Sequence, residues 1–148
     1  MSGTQYHQDH YAWTREQAAL LARGCLTGID VPHLIEALES LGASERRELQ
    51  SLFRQILVHL LKLEYSKATL PRAKWTEEIS EFRAQAETAL EDTPSLAAMA
   101  QTLFSKAWPQ ARKIAETSLA AYGEAVKLPA ECPYTLDQTL NQDFWPGA

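Results

Sequence analysis

Two histidines and one glutamate within residues 31–62 have the side chains of a metal site. His33 and Glu36 are three residues apart in VPHLIEALESLG, and His59 follows in ILVHLLK. Metal-binding helical bundles use i, i+3 pairs of this kind, although there the glutamate precedes the histidine and two pairs are present. A site also needs three or four ligands with supporting partners. His33, Glu36 and His59 are therefore one candidate site for a divalent metal.

A second group of possible ligands stands at the start of the chain. His7, Asp9 and His10 occur together in HQDH. Chain ends are usually frayed, which favours adventitious metal binding there over a built site. The simpler interpretation is a polar lead-in whose Asp9 caps the following helix.

Nucleophilic catalysis finds little support among the cysteines. Cys25 follows a predicted helix end, and Cys132 lies beside Glu131, whose charge disfavours a thiolate. Neither cysteine has CxxC spacing, so both are predicted to be reduced and intracellular. The chain contains no GxSxG, HExxH or glycine-rich phosphate motif. We assign no catalytic or cofactor-binding residue.

Basic residues form a weak candidate surface for an acidic partner. Residues 45–74 carry seven Lys or Arg and three Asp or Glu, whereas residues 75–92 carry one Arg and six acids. The simpler interpretation is that neighbouring helices complement each other across exposed faces. The functional alternative is a partner-binding patch, and its candidate residues are Lys62, Lys67, Arg72 and Lys74.

Aromatic residues give another candidate partner contact. Phe144 and Trp145 stand together in DFWPGA near the end of the chain. Such a pair needs a groove, either on a partner or on its own domain, and docking on its own domain is favoured. Trp13 and Trp108 lie near predicted helix ends, where we expect partial exposure.

Helices must position all these residues, because the apolar residues recur with helical spacing and the two-residue alternation of β-strands is scarce. The pattern predicts helices over 9–23, 30–42, 45–67, from Pro71 through Leu90, from Pro94 toward Gly123, and over 136–141. Asp30 is the predicted N-cap of the second helix, which stops at Gly42 before Ser44 caps the third. Pro109 should kink or split the fifth helix.

The second and third helices differ in their apolar faces. In the second, Leu34, Leu38 and Leu41 form the predicted core side, which turns His33 and Glu36 away from it. In the third, leucines, Ile56 and Phe53 recur at three- and four-residue steps over a wide arc. We therefore expect the third helix to be central, with a half-buried, hydrogen-bonded His59 on its flank.

Length and charge fix the class of the molecule. A chain of 148 residues with 45% hydrophobic residues fits one globular domain. The net charge of -5 argues against a nucleic-acid partner. The polar start of the chain and the shortness of its apolar run ILVHLLKL argue against secretion and a membrane, so the cytoplasm is expected. The fold is predicted as an all-α, single-domain bundle of about five main helices with a strapped C-terminal segment.

Several phrases in this order resemble one known family. They are YHQDHYAWTREQAALLARG, VPHLIEALESLGASERREL, HLLK, the 75–83 segment, EDTPSL and ECPYTLDQTLNQDFWP. Together they resemble the bacterial family called domain of unknown function 29 over nearly the whole chain. The resemblance implies a small all-α bacterial protein and supplies no activity, cofactor or catalytic residue.

Two classes of function follow from these patterns. The favoured one is a non-catalytic interaction or regulatory protein, with a protein partner or self-association through exposed helix faces and with no bound cofactor. The alternative is a metal-dependent enzyme that uses His33, Glu36 and His59. A third option is a regulator that holds an acidic partner through the basic residues of 62–74.

Overall fold

The computed structural model describes residues 3–147, which form helices and connecting segments without a strand. The helices are α1 (Gly3–Gln8), α2 (His10–Ala22), α3 (Val31–Tyr65), α4 (Arg72–Asp92), α5 (Pro94–Ala97), α6 (Ala100–Ala121) and α7 (Leu136–Leu140), with a 3-10 turn at Leu26–Gly28. The predicted all-α helical bundle is confirmed. Over the described range, no helix has the length and apolarity needed to cross a membrane.

The described chain falls into two compact units, residues 3–45 and residues 46–147. Helix α3 belongs to both, because the division falls within it. The single domain that composition predicts stays a prediction.

Helix α2 begins and ends where the local sequence predicts. The Asp9 side chain accepts a hydrogen bond from the Ala12 backbone N–H at 3.0 Å, which caps the helix. Gly24 has a φ of +73°, the left-handed conformation that glycine adopts at a helix end. The polar lead-in before Asp9 is itself helical, since α1 occupies it.

Helix α3 is continuous through Gly42, so the predicted break and the Ser44 cap are wrong. A helix that stops at glycine usually places it at positive φ, and Gly42 does not have positive φ. The apolar pattern also keeps its phase across this point. Leu38 and Leu49 are eleven residues apart, which is about three helical turns.

The first half of α3 exposes the face that was predicted to be its core. Leu38 and Leu41 are 68% and 65% exposed, whereas His33 is half-buried and Glu36 is exposed. The expectation is wrong because polar groups organise the interior of the first unit. Its buried side chains, among residues 5–45, are Trp13 and Gln17.

The second unit contains the aliphatic core. Its largest fully buried apolar side chains are Leu49, Phe53, Ile56, Leu57, Leu60, Leu61, Ile79 and Leu128. They come mainly from α3, as the wide apolar arc predicts. Trp108 is also buried, and Trp13 is buried in the first unit, so the expected partial exposure of both is wrong.

Helix α6 passes through Pro109 without dividing there. The interruption of the predicted fifth helix falls instead at Ala98 and Met99, between α5 and α6. Proline removes one backbone hydrogen bond, and here the neighbouring Trp108 and Ala111 are both buried. Their packing holds the helix together across the proline.

The C-terminal segment is strapped to α6, as predicted. Trp108 Nε1–H donates to the Ala130 carbonyl at 3.0 Å, and the Arg112 guanidinium donates to the Leu128 carbonyl at 3.1 Å. Helix α7 follows, and Thr135 with Gln138 forms the predicted capping box at its start.

Candidate functional site

A partly buried polar network organises the first unit around Asp30. Trp13 Nε1–H donates to the Asp30 carboxylate at 3.0 Å, and His33 Nδ1 lies 2.7 Å from the same oxygen. The Asp30 backbone N–H donates to Gln17 Oε1 at 2.7 Å. Asp30 directly precedes α3, at the predicted N-cap position, and its backbone carbonyl accepts the Leu34 backbone N–H at 2.9 Å.

The charge of Asp30 is set by these neighbours. Burial raises the pKa of its carboxyl group, but hydrogen bonds from Trp13 and His33, together with the charge of His33, outweigh burial. The pKa of Asp30 therefore lies below its ordinary value, and the group is a carboxylate at neutral pH.

An aromatic cluster covers the same histidine. The Tyr6 ring is stacked on His33 with centroids 4.3 Å apart, and it also contacts Trp13, His7 and His10 at 4.7 to 5.0 Å. A carboxylate on Nδ1 is the arrangement that orients an imidazole for proton transfer. In the described chain no nucleophile is hydrogen-bonded to His33, whose recorded side-chain hydrogen-bond partner is Asp30.

His59 has its own partners in the second unit. Its Nδ1 lies 2.7 Å from the Gln55 carbonyl oxygen, and its Nε2 lies 2.6 Å from Glu78 Oε2. The ring is half-buried and meets Phe82 edge-on. Through its contact with Glu78, His59 joins α3 to α4.

The predicted metal ligands are thus found in separate settings. His33 contacts Asp30, Glu36 is exposed, and His59 contacts Glu78. Across residues 3–147, no cluster of three or more His, Cys, Asp or Glu side chains could hold an ion. Metal binding by His33, Glu36 and His59 stays a prediction.

A groove of about 540 Å³ opens in the second unit where the ends of α3 and α6 meet the start of α4. Its apolar walls include Trp75, Leu119, Tyr122 and Leu70. Leu70 and Tyr122 are 95% and 79% exposed, which is unusual for side chains of this size. The groove has the volume of a ligand pocket and an apolar rim that its own unit leaves uncovered.

The predicted basic residues have different roles in the second unit, and only Lys62 among them lines the groove. Lys62 lines it, with Nζ 5.7 Å from the centre of the Trp75 ring. Arg72 donates to the carbonyl oxygens of Leu63 and Ser66 at 2.6 and 3.2 Å, so its guanidinium satisfies the C-terminal end of α3.

The two remaining lysines lie on the surface. Lys67 is exposed, and Lys74 Nζ is 3.9 Å from Glu78. The structure therefore brings Lys62 into the groove and leaves the Lys67 ammonium group at the surface of the same unit.

Glu124 closes one end of the groove. The Lys67 backbone N–H and the Ser66 hydroxyl each donate to its carboxylate at 2.7 Å. The backbone hydrogen bond, and after it the hydroxyl, holds the pKa of Glu124 below its ordinary value in spite of burial. Its two oxygens are thus already engaged with groups of its own chain.

The terminal aromatic pair docks on its own unit. Phe144 packs edge-on against Tyr134, and Trp145 lies under the Arg83 guanidinium, 4.9 Å from the centre of its ring. Both are half-buried against the core. A role of Phe144 and Trp145 in partner binding stays a prediction.

Sequence reasoning missed Arg83, which is fully buried in α4. Its Nε–H and Nη2–H donate to the carbonyl oxygens of Thr139 and Gln138 at 2.7 and 3.1 Å. Burial lowers the pKa of Arg83 to about 10, so the group remains charged at neutral pH. In the helical pattern of α4, Arg83 falls beside apolar positions. Its carbonyl partners are more than fifty residues away along the chain, so no local signal reveals the contact.

The two cysteines differ in their surroundings. Cys25 is exposed, whereas Cys132 is half-buried against the core of the second unit. Burial raises the pKa of the Cys132 thiol. Neither cysteine forms a disulfide.

The chain matches one known protein family over most of its length. The model of one family, described as Domain of unknown function DUF29, matches residues 5–145. The chain belongs to this family. Comparison with curated proteins and with solved structures gave no match. The DUF29 match spans the Asp30 network, the groove and the docked aromatic pair, and it assigns no activity to any of them.

Proposed function

We propose that this DUF29 protein is a non-catalytic protein-interaction protein that holds a polypeptide segment of its partner in the groove. The observation that carries the proposal is the exposed apolar rim formed by Leu70 and Tyr122 around Trp75. An apolar surface that a protein leaves uncovered marks an interaction site more often than a structural need. The proposal requires no metal and no cofactor.

The charged side chains at and near the groove indicate which kind of segment would bind there. Lys62 projects along the Trp75 ring, and Lys67 adds a second exposed cation nearby in sequence. Glu124 keeps its negative charge, but its two oxygens accept hydrogen bonds from the Ser66 hydroxyl and the Lys67 backbone N–H, so Lys62 is the charged lining group left to pair with a ligand. We therefore expect a segment with a bulky apolar side chain for the groove and an acidic side chain beside it.

Selection from a random phage-displayed peptide library tests this chemistry. Wild-type protein should enrich peptides that combine an aromatic or large aliphatic residue with a nearby Asp or Glu. Enriched peptides should bind Leu70→Ser and Tyr122→Ser about tenfold more weakly, since both changes remove apolar contact area. Added salt should weaken binding, and Lys62→Gln should reduce that salt dependence.

Ile114→Ser is the matched control, because Ile114 is likewise an exposed apolar residue, on α6, but does not line the groove. It should leave peptide binding unchanged. The proposal fails if no peptide is enriched, or if enriched peptides bind the Tyr122→Ser variant as tightly as wild type.

A further inference from the structure

A second pocket of the second unit, of about 350 Å³, has polar and cationic walls. It lies between the middle of α3 and α6, and the residues that line it are Arg47, Gln50, Ser51, Arg54 and Gln110. Among the described residues, no carboxylate belongs to these walls. The volume is at the lower end of the range for small-molecule sites. The pocket shares no lining residue with the groove.

Helical spacing gathers four of the five lining residues on one face of α3. Arg47 and Arg54 are seven residues apart, so they point in nearly the same direction from the helix axis. Gln50 and Ser51 fall between them on that face. Long side chains on a helix lean toward its N-terminus, and the Arg54 guanidinium accordingly reaches back to Ser51.

Neutral acceptors hold the Arg54 guanidinium in place. Its Nη2–H donates to Ser51 Oγ at 3.1 Å, and its Nη1–H donates to Gln110 Oε1 at 3.4 Å. Arg54 is half-buried, and these two bonds use only part of its five N–H donors. Within residues 3–147, neither Arg54 nor Arg47 takes part in an ion pair. The described chain therefore leaves two guanidinium charges at this pocket without a carboxylate partner.

The hydroxyl of Ser51 is oriented as a donor toward a ligand. Its oxygen accepts from Arg54 Nη2–H and from Gln55 Nε2–H, each at 3.1 Å. A hydroxyl has two acceptor lone pairs and one hydrogen, so both lone pairs are occupied and the hydrogen remains to be donated. The Gln110 carbonyl oxygen is likewise engaged by Arg54, which leaves its amide N–H groups as donors. The pocket therefore offers N–H and O–H donors from two helices to one acceptor group.

The α6 side of the pocket adds positive charge. Lys106 and Lys113 lie about one turn before and after Gln110, on its face of α6, and both are exposed. The acid nearest to Arg47 in the sequence, Glu48, is turned about 100° away around α3. The whole chain carries a net charge of -5, so this positive region is local. Such a region favours a small ligand with concentrated negative charge.

We propose that this pocket binds the phosphate group of a small ligand, either a phosphate monoester or inorganic phosphate. Guanidinium groups recognise phosphate oxygens through paired N–H donors, and Arg47 and Arg54 supply two such groups. The Ser51 hydroxyl and the glutamine amides supply neutral donors for the remaining oxygens. The pocket is larger than one phosphate group, so we expect a monoester to bind more tightly than inorganic phosphate. The site is independent of the groove and its peptide.

Equilibrium dialysis against inorganic phosphate, ribose 5-phosphate and ribose tests the site and its source of phosphate. Both phosphate compounds should bind and ribose should not, because the phosphate group carries the recognition. Added salt should weaken binding, since the attraction is electrostatic. Tighter binding of ribose 5-phosphate assigns the site to a phosphate monoester, and tighter binding of inorganic phosphate assigns it to the free ion.

Arg47→Gln is the decisive variant, because Arg47 is exposed and its loss leaves the fold intact. It should weaken the binding of phosphate about tenfold or more, the worth of a charged hydrogen bond. Arg54→Lys keeps the charge but loses the fork of donors, so it should also weaken binding. Arg46→Gln is the matched control, because the neighbouring Arg46 is exposed on the same helix but does not line the pocket. It should leave the dissociation constant unchanged.

The absence of binding by both phosphate compounds at millimolar concentration would overturn the proposal. Equal weakening by Arg46→Gln and Arg47→Gln would also overturn it, since that result would reflect net charge alone. Peptides selected for the groove should bind Arg47→Gln as tightly as wild type. A failure of the phosphate site is therefore distinguishable from a failure of the groove.

Discussion

Single residues carry long-range contacts that no local pattern reveals. Capping by Asp9 and by Thr135 with Gln138 could be predicted, because donor and acceptor are three residues apart. The hydrogen bonds of Arg83 to α7 and of Ser66 to Glu124 join residues more than fifty positions apart. Sequence shows that such side chains are polar but does not show which distant carbonyl or carboxylate they meet.

Arg83 is a fully buried residue whose replacement should destabilise the fold. Arg83→Ala removes the donors to the Gln138 and Thr139 carbonyls and leaves unfilled space beside Trp145. We expect the free energy of unfolding to fall by about 3 kcal/mol in urea titrations. Lys106→Ala, at an exposed position of α6, should change it by less than about 0.5 kcal/mol. Equal losses in the two variants would contradict the structural role of Arg83.

Glu124 should make stability depend on acid pH. Its pKa is lowered in the folded protein, so its contribution is present above the ordinary pKa of 4.5 and is lost as pH falls through the folded value. Wild type should therefore exceed Glu124→Gln in melting temperature at neutral pH, and the two should converge below pH 4.5. The exposed Glu131→Gln serves as the control and should show no such convergence. A difference that stays constant across this range would refute the role of the charge.

Helix α3 shows how a local stop signal can mislead at the scale of an element. Glycine followed by serine predicts one helix end and the start of another, yet the helix runs through both. The uninterrupted phase of the leucines across Gly42 was the competing signal, and it agrees with the structure. Which part of that face is covered could not be predicted, because burial depends on the elements that pack there.

The same substitution at two glycines should have opposite effects. Gly42→Ala adds a Cβ atom in open space inside a helix, so we expect the free energy of unfolding to rise by up to about 1 kcal/mol. Gly123→Ala must adopt a φ of +76°, so we expect a loss of about 1 kcal/mol. Chemical denaturation measures both. A loss at Gly42 would indicate that the helix bends or breaks there.

The whole molecule distributes its apolar core unequally. Among the described residues, the aliphatic core lies in residues 46–147, whereas the first unit buries Trp13 and a polar network. Composition and periodicity predict an all-α chain, which is confirmed, and a central third helix over 45–67, whose residues between 49 and 63 supply much of the core of the second unit. They could not predict this division, since leucines occur in both units at similar spacing.

Hydrogen exchange should reveal the unequal core along one helix. Amides of residues 52–63 in α3 lie in the aliphatic core and should exchange only at free energies close to global unfolding. Amides of residues 34–41 belong to the same helix but carry exposed leucines, so they should open at a lower free energy. Exchange followed by mass spectrometry distinguishes the segments. Uniform protection along α3 would show that the chain unfolds as one cooperative body.

The contrast between Cys25 and Cys132 gives the protein a built-in chemical reporter. At neutral pH a maleimide dye should modify the exposed Cys25 first and Cys132 far more slowly, because Cys132 is half-buried and burial raises the pKa of its thiol. The rate at which Cys132 is labelled, measured by mass spectrometry as a second adduct, then reports how often the C-terminal segment is transiently exposed. Cys25→Ser removes the first adduct, so that labelling of Cys132 is measured alone, and it leaves the second unit unchanged.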